Sequence, residues 1–458
     1  MLTSFVERLR SLSRNAQLYL ISNSIQAVTA GALAVIYTLY LSALGYNTSF
    51  IGLVLLVATI GGGVGIVPSQ PLVNRFGWRT MLIWSDMIGG IAIFLQLTVP
   101  TPLVLLLTSV AIGASVAIVL VINAPLLAAN STPEDRTRLF GLNNALQFLA
   151  SILGSLLGGV LPGFFTSNAF RGSGLLRALA PMLAHGGQAR SFQLALLLVG
   201  ALAVPSIIPV FLMREQPHGS ASADVAVKTA YPWRQRLDVW RTKLRVGLRG
   251  VIGRFSLFQA LLGFGAGLWF PYFNIYLVRH LGATPFFYGV LTASATVLLA
   301  VASLVAAPLA DRFGKVPTIV VAHLCALPFL VLMGAIPVLA IVSAAYLIRS
   351  TLANISGPPL QSFLMGAVPE RERVIANGVY NVSWQIAWAL GAGAGGLIVT
   401  PFGYQAPMLL AVPWYGAAAL IFTWFFWRQR HTLETFDKGK TPLPLDTPLP
   451  ESEFASNE

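Results

Sequence analysis

Residues 308–318 read PLADRFGKVPT, and residues 71–80 read PLVNRFGWRT. Five of the first seven positions are identical, and the residue numbers differ by 237 (308 less 71). The same offset relates two longer stretches. GLNNALQFLASILGSLLGG (141–159) has small residues at Gly141, Ala150, Gly154, Gly158 and Gly159. GVYNVSWQIAWALGAGAGG (378–396) has them at Gly378, Ala387, Gly391, Gly395 and Gly396, at the same offset in every case. Asn144 with Asn381, Gly45 with Gly282 and Gly52 with Gly289 obey it too. Distant motifs sharing one offset imply two homologous halves.

Composition says what solvent those halves need. Of 458 residues, 56% are hydrophobic and 10% charged, and the mean hydropathy is +0.74. Soluble proteins carry about 25% charge, so this chain needs lipid. A spanning helix takes about 20 mainly apolar residues. Such stretches occur at 17–43, 49–70, 80–98, 102–130, 139–165, 191–213, 253–279, 285–308, 316–335, 338–366, 376–399 and 404–427. The expected fold is therefore all-α, with twelve membrane helices in two pseudo-symmetric six-helix bundles. A membrane barrel would show short alternating segments instead. The first apolar run is long enough to span, and no cleavable signal peptide is evident.

Twelve spans put both termini on one side. Of the 29 lysines and arginines, 24 fall on that side and four, at 171, 177, 190 and 279, on the other. Arg349 is left inside a span. The positive-inside rule then predicts cytoplasmic termini in a plasma (inner) membrane. It also accounts for the net charge of +13 without a nucleic-acid partner, since no basic folded module is present. The expected layout is a cytoplasmic segment (1–16), a first bundle (17–213), a linker (214–252), a second bundle (253–427) and a disordered tail (428–458). Within the linker, Leu237, Trp240, Leu244 and Leu248 recur at helical spacing among basic residues, as in a helix lying on the inner leaflet.

On these residues the chain resembles the major facilitator superfamily across most of 15–430, with a drug-antiporter-like cast. That family's turn between helices 2 and 3 reads roughly G-x-L-a-D-R-x-G-R-[RK]. The second copy fits at Leu309, Ala310, Asp311, Arg312, Gly314 and Lys315, with Ala307 for the first glycine. The first fits at Leu72, Arg75, Gly77 and Arg79, but has Gln70 for Gly and Asn74 for Asp. The resemblance implies that each turn guards the cytoplasmic face beside the start of a helix in the other half. Asp311 would lie near Gly141, and Asn74 near Gly378. A carboxylate at a helix N-terminus is favourable, so the Asn74 latch is expected to be the weaker one. The helix 5 glycines resemble the antiporter motif G-x8-G-x3-G-P-x2-G-G, but Ser155 stands for Pro, and helix 11 has Ala392 there. Close helix packing explains such glycines equally well.

Other motifs lead nowhere. GAGAGG (391–396) matches GxGxxG inside a membrane span with no preceding strand, and GKT (439–441) lies in a tail. Cys325 is the single cysteine, and the five histidines are scattered. No catalytic, metal or cofactor site is therefore expected.

Polar residues at depth carry the functional expectations. Of 16 acids only Asp86 falls within a span. It either pairs with the basic turn at Arg75 and Arg79 or carries a coupling proton. The acids that proton-driven drug exporters of this superfamily usually place in helices 1 or 4 are missing. Arg349, mid-span in AYLIRSTLANISGPP, has no carboxylate at its depth. Backbone carbonyls, Asn354, water or an anionic substrate must compensate it, or else it is structural and bonds to backbone opened by Pro358 and Pro359. In GFGAGLWFPYFNIYL (263–277), Pro271 is expected to kink the span, with Trp269, Tyr272, Asn274 and Tyr276 in its outer half.

By the resemblance, helices 1 and 7 line the cavity. Gln26, Asn144, Gln147, Asn274, Asn354, Asn381, Trp384, Trp269 and Arg349 are then the candidate substrate lining, although interhelical bonding alone accounts for many such residues. The implied function is secondary transport of a small organic solute, amphiphilic or anionic, by alternating access, acting as a monomer and as efflux. Uptake of a polar metabolite and lipid transport are the alternatives.

Overall fold

The computed structural model of the protein describes residues 12–131, 136–167, 183, 187–214, 250–368 and 373–427. Among these, twelve helices are long and apolar enough to cross a membrane, and no strand occurs. They are α1 (Arg14–Ala43), α2 (Thr48–Phe76), α3 (Trp78–Thr98), α4 (Pro102–Ala129), α5 (Arg136–Thr166) and α6 (Gly187–Leu212) in the first half. The second half has α7 (Val251–His280), α8 (Pro285–Phe313), α9 (Lys315–Ala335), α10 (Leu339–Ala367), α11 (Arg373–Phe402) and α12 (Gln405–Phe426). The predicted interfacial helix and tail lie outside the described residues.

The offset read from the motifs governs the helices. It relates the starts of α1 and α7, α2 and α8, α3 and α9, α4 and α10, and α5 and α11 without exception. It drops to 218 at Gly187 and Gln405, because the connection from α5 to α6 is longer than that from α11 to α12. Matching local chemistry fixes the matching starts. Asn47 and Thr284 both cap: their side-chain oxygens accept from the N–H of Phe50 (2.9 Å) and Phe287 (3.1 Å). Gly77 and Gly314 hold φ of 82° and 91° with ψ 153°, a backbone region that is essentially glycine's alone.

The basic turns differ from expectation in one respect. α2 continues through Pro68 and Pro71 to Phe76, and α8 through Pro308 to Phe313, whereas the apolar stretches end at 70 and 308. PLVNRF and PLADRF are thus helical, and the turn is a single glycine. Neighbouring helices let a membrane helix tolerate the bond that each proline removes.

Two helices of the second half are broken. α7 passes into a 3₁₀ turn at Phe270–Tyr272, where Pro271 lacks an N–H, and ends in a π-turn at Tyr276–His280. α10 breaks at Ser356, just before Gly357-Pro358-Pro359, while α4 is continuous at the matching place. Large apolar side chains such as Leu103, Leu304 and Trp424 point outward, as lipid requires.

Candidate functional site

The halves meet along two seams, α2 against α11 and α5 against α8, both away from the basic turns. In one, a methyl built on Gly52 would lie 2.7 Å from the Ala392 carbonyl oxygen. In the other, a methyl on Gly289 would lie 2.6 Å from the Ser155 carbonyl oxygen. Gly396 abuts Thr48, and Gly159 abuts Pro285, with the Pro285 oxygen 2.9 Å from where a Cβ would stand. Each contact in one seam has its counterpart in the other, at the same offset that relates the motifs. Hydroxyls reinforce the α2–α11 seam: Thr48 and Ser49 donate to the Gly396 carbonyl (3.2 and 3.1 Å), and Ser49 bonds Thr400 (2.8 Å). Sequence reasoning named Gly52 and Gly289 as a pair but missed these hydroxyls. The signal was available in their place one turn before Gly52 and one turn after Gly396.

The remaining seam glycines pack within each half. Gly154 and Gly158 face Val28 and Ala32 of α1, and Gly391 and Gly395 face Phe264 and Leu268 of α7. α1 and α7 also join the halves. The break in α7 turns Asn274 toward α1, where its Nδ2 donates to Thr38 Oγ1 (2.6 Å) and to the Val35 carbonyl (3.0 Å).

Toward the basic turns the halves part. A Cβ on Gly141 or Gly378 would meet nothing within 4 Å. Asn144, Asn381 and Gln385 are exposed, and Gln147, Asn354 and Trp384 are half-buried. Asn381 donates to the Asn377 carbonyl (2.8 Å), one turn back on α11, and Asn354 to the Ser350 carbonyl (2.7 Å) on α10. Both amides therefore keep hydrogen-bonding capacity to spare. Asp311 and Arg312 are exposed, and Asp311 makes no hydrogen bond or ion pair among the described residues. Arg75 and Arg312 each lie over the phenyl ring that follows them, at 5.3 and 5.4 Å.

Asp86 on α3 sits inside the first half. Gln26 Nε2 on α1 donates to its Oδ1 (3.0 Å), while Oδ2 is buried without a partner. Neither arginine of the basic turn pairs with it: Arg79 donates to the Phe211 carbonyl, and Arg75 stacks on Phe76. Beside it, Asn23 Nδ2 donates to Asn143 Oδ1 (2.8 Å), tying α1 to α5.

Arg349 on α10 is 7% exposed. Its guanidinium lies over Trp269 of α7 at 4.8 Å and over Tyr415 of α12 at 4.7 Å. An arginine at the bilayer centre costs about 2.5–3.5 kcal/mol on insertion scales, and a desolvated cation–π contact returns about 2 kcal/mol. Two such contacts offset the charge. Asn354 bonds within its own helix and leaves Arg349 without the amide that sequence reasoning offered it. Tyr415 carried no sequence signal. His323 of α9 lines the same space, with Nδ1 donating to the Ile319 carbonyl (2.9 Å). His323 matches Asp86 at the repeat offset, so one position carries a titratable side chain in both halves.

Comparison with known proteins matches this geometry. The model of the Major Facilitator Superfamily matches residues 19–270 and 255–455. Among solved structures, a bacterial homologue of the human lysosomal transporter Spinster, inward-facing and occupied, is similar with a TM-score of 0.73 at 15% identity, covering 93% of this chain and 98% of that one. The nucleoside transporter NupG is similar with a TM-score of 0.69 at 13% identity, covering 90% and 99%. The D-xylose-proton symporter has a TM-score of 0.63 at 17% identity, covering 89% and 95%. No curated protein matches in sequence. Two six-helix halves, the doubled basic turn and a family match along almost the whole chain lead to one conclusion: this multi-pass membrane protein belongs to the Major Facilitator Superfamily and is a transporter of small solutes rather than an enzyme.

Proposed function

We propose that the chain exports an amphiphilic or anionic organic solute by alternating access, and that the state described is its inward-facing one. The observation that carries the assignment of state is the polarity of closure. Both glycine seams and the Asn274–Thr38 bond shut the end away from the basic turns, while Asn144, Asn381 and Gln385 stand exposed. With 24 of 29 basic residues on the terminal side, the open end is assigned to the cytoplasm. A solute would then enter from inside, meet the amides of α5 and α11 and the face of Trp384, and leave once the seams part. Gln26, Gln147 and Asn354 complete the lining. Similarity to an inward-facing Spinster homologue supports the assignment of state.

Asp86 is the candidate for coupling. A buried carboxylate oxygen with no hydrogen-bond partner among the described residues suits a group that takes up and releases a proton during the cycle. Uptake of a polar metabolite is the second reading. It is favoured by the neutral amide lining and by the similarity to transporters named for nucleosides and for D-xylose with a proton. Proteoliposomes decide between them. Labelled amphiphilic anions and cations, a nucleoside and a pentose would be followed with and without an imposed pH gradient. Gradient-driven movement of an amphiphile, abolished by joint Asn144→Ala and Asn381→Ala replacement, is the expected result. Selective movement of the nucleoside or pentose would overturn export of an amphiphile.

A further inference from the structure

We infer that the second half holds a small-anion site between α9, α10 and α12, with Arg349 as its cation. The site is separate from the cleft amides and does not rest on the direction or substrate proposed above. Among the described residues only Asp86 and Asp311 are acidic. Asp86 lies in the first half, bonded to Gln26, and Asp311 is exposed at the end of α8. Among the described residues, therefore, no carboxylate faces Arg349.

The aromatic rings leave part of the guanidinium's requirement unmet. Trp269 and Tyr415 take the charge through their faces. A ring face gives no in-plane acceptor for five N–H donors, and the guanidinium makes no hydrogen bond or ion pair among the described residues. A second donor nearby shares this state: the indole N–H of Trp269, the ring beneath the guanidinium, is buried without an acceptor. Donors without acceptors around one buried cation call for an anion.

The space beside Arg349 is bordered by His323, Ala326, Leu330, Ala353 and Tyr415. It has room for about one water-sized occupant. It is too small for an organic solute and suited to a halide ion, or to the carboxylate end of formate. His323 offers no competing anion, and its Nδ1 proton is already committed to the Ile319 carbonyl. The matching position of the first half carries Asp86 instead, and residue 112, which matches Arg349, is isoleucine. The cation site therefore belongs to the second half alone.

Crystals of the full chain grown in sodium bromide test this directly. An anomalous peak beside the Arg349 guanidinium and Tyr415 is the expected result. Thermal unfolding in detergent gives the solution test, at constant ionic strength in sodium chloride, formate or gluconate. A saturable rise in Tm with chloride or formate over gluconate is expected. It should be lost in Arg349→Gln and kept in the control Arg312→Gln. A rise with chloride alone assigns the occupant as halide, and a rise with formate alone as carboxylate. Should Arg349→Gln not fold, the bromide peak and the salt dependence of the wild-type Tm still decide. Absence of a bromide peak together with equal Tm in all three salts would overturn the site, leaving water against the guanidinium.

Discussion

Gly289 of α8 and Ser155 of α5 meet backbone to backbone across the two halves, so closely that a methyl group on Gly289 would stand 2.6 Å from the Ser155 carbonyl oxygen. No side chain at that point has room to yield. Overpacking of this kind costs about 1–3 kcal/mol, and only the closed form of the seam bears it. Gly289→Val is thus expected to shift the conformational equilibrium roughly 5–150-fold toward the state open at the far end. The check is maleimide labelling at Thr48→Cys, a position buried in the closed α2–α11 seam, with the exposed Cys325 replaced by Ala. Labelling should rise in Gly289→Val, and in Gly52→Val by the same logic at Ala392.

Asn274 tests the same closure with a hydrogen bond in place of a steric contact. Its bonds to Thr38 and Val35 cross between halves and exist only while the far end is shut. Interhelical bonds in membranes average about 0.6 kcal/mol and reach about 1.7. Asn274→Ala should therefore raise far-end labelling about threefold or more. Asn381→Ala removes a bond internal to α11 and should leave labelling unchanged while lowering transport.

The repeat offset was readable because it is written in residues whose roles are local: the positive-φ glycines at 45 and 282 and at 77 and 314, and the small residues of α5 and α11. Local rules also located the break at Pro271. What was not readable depends on distant partners. Gln26 reaches Asp86 on another helix, and nothing in either segment announces the pairing. Tyr415 lies on a helix that the sequence marks only as apolar, so the aromatic cover over Arg349 emerged with the packing of α12. Conformational state was equally hidden, because the same seam glycines serve a closed and an open form.

Asp86→Asn keeps an acceptor for Gln26 Nε2, so the fold should survive with Tm within a few degrees of wild type. The variant cannot bind and release a proton at that position. If Asp86 couples transport, flux in proteoliposomes should lose its response to an imposed pH gradient, while exchange without a gradient persists. A variant whose gradient response matches wild type would remove Asp86 from the coupling role.

Asn74→Asp converts the first basic turn to the chemistry of the second. Asn74 is exposed in the state described. When the cytoplasmic end closes, the new carboxylate would face the N-terminus of α11, an exposed charge–dipole contact of about 0.3–1 kcal/mol. That corresponds to roughly a two- to fivefold shift toward the outward-open form. The substitution acts in the same direction as Gly289→Val, but by stabilising one state rather than obstructing the other. Asp311→Asn should shift the balance the opposite way. Labelling at Thr48→Cys should rise in Asn74→Asp and fall in Asp311→Asn, and salt should erase both effects because the contact is exposed. Salt-insensitive labelling would show that the turns act through packing and not through charge.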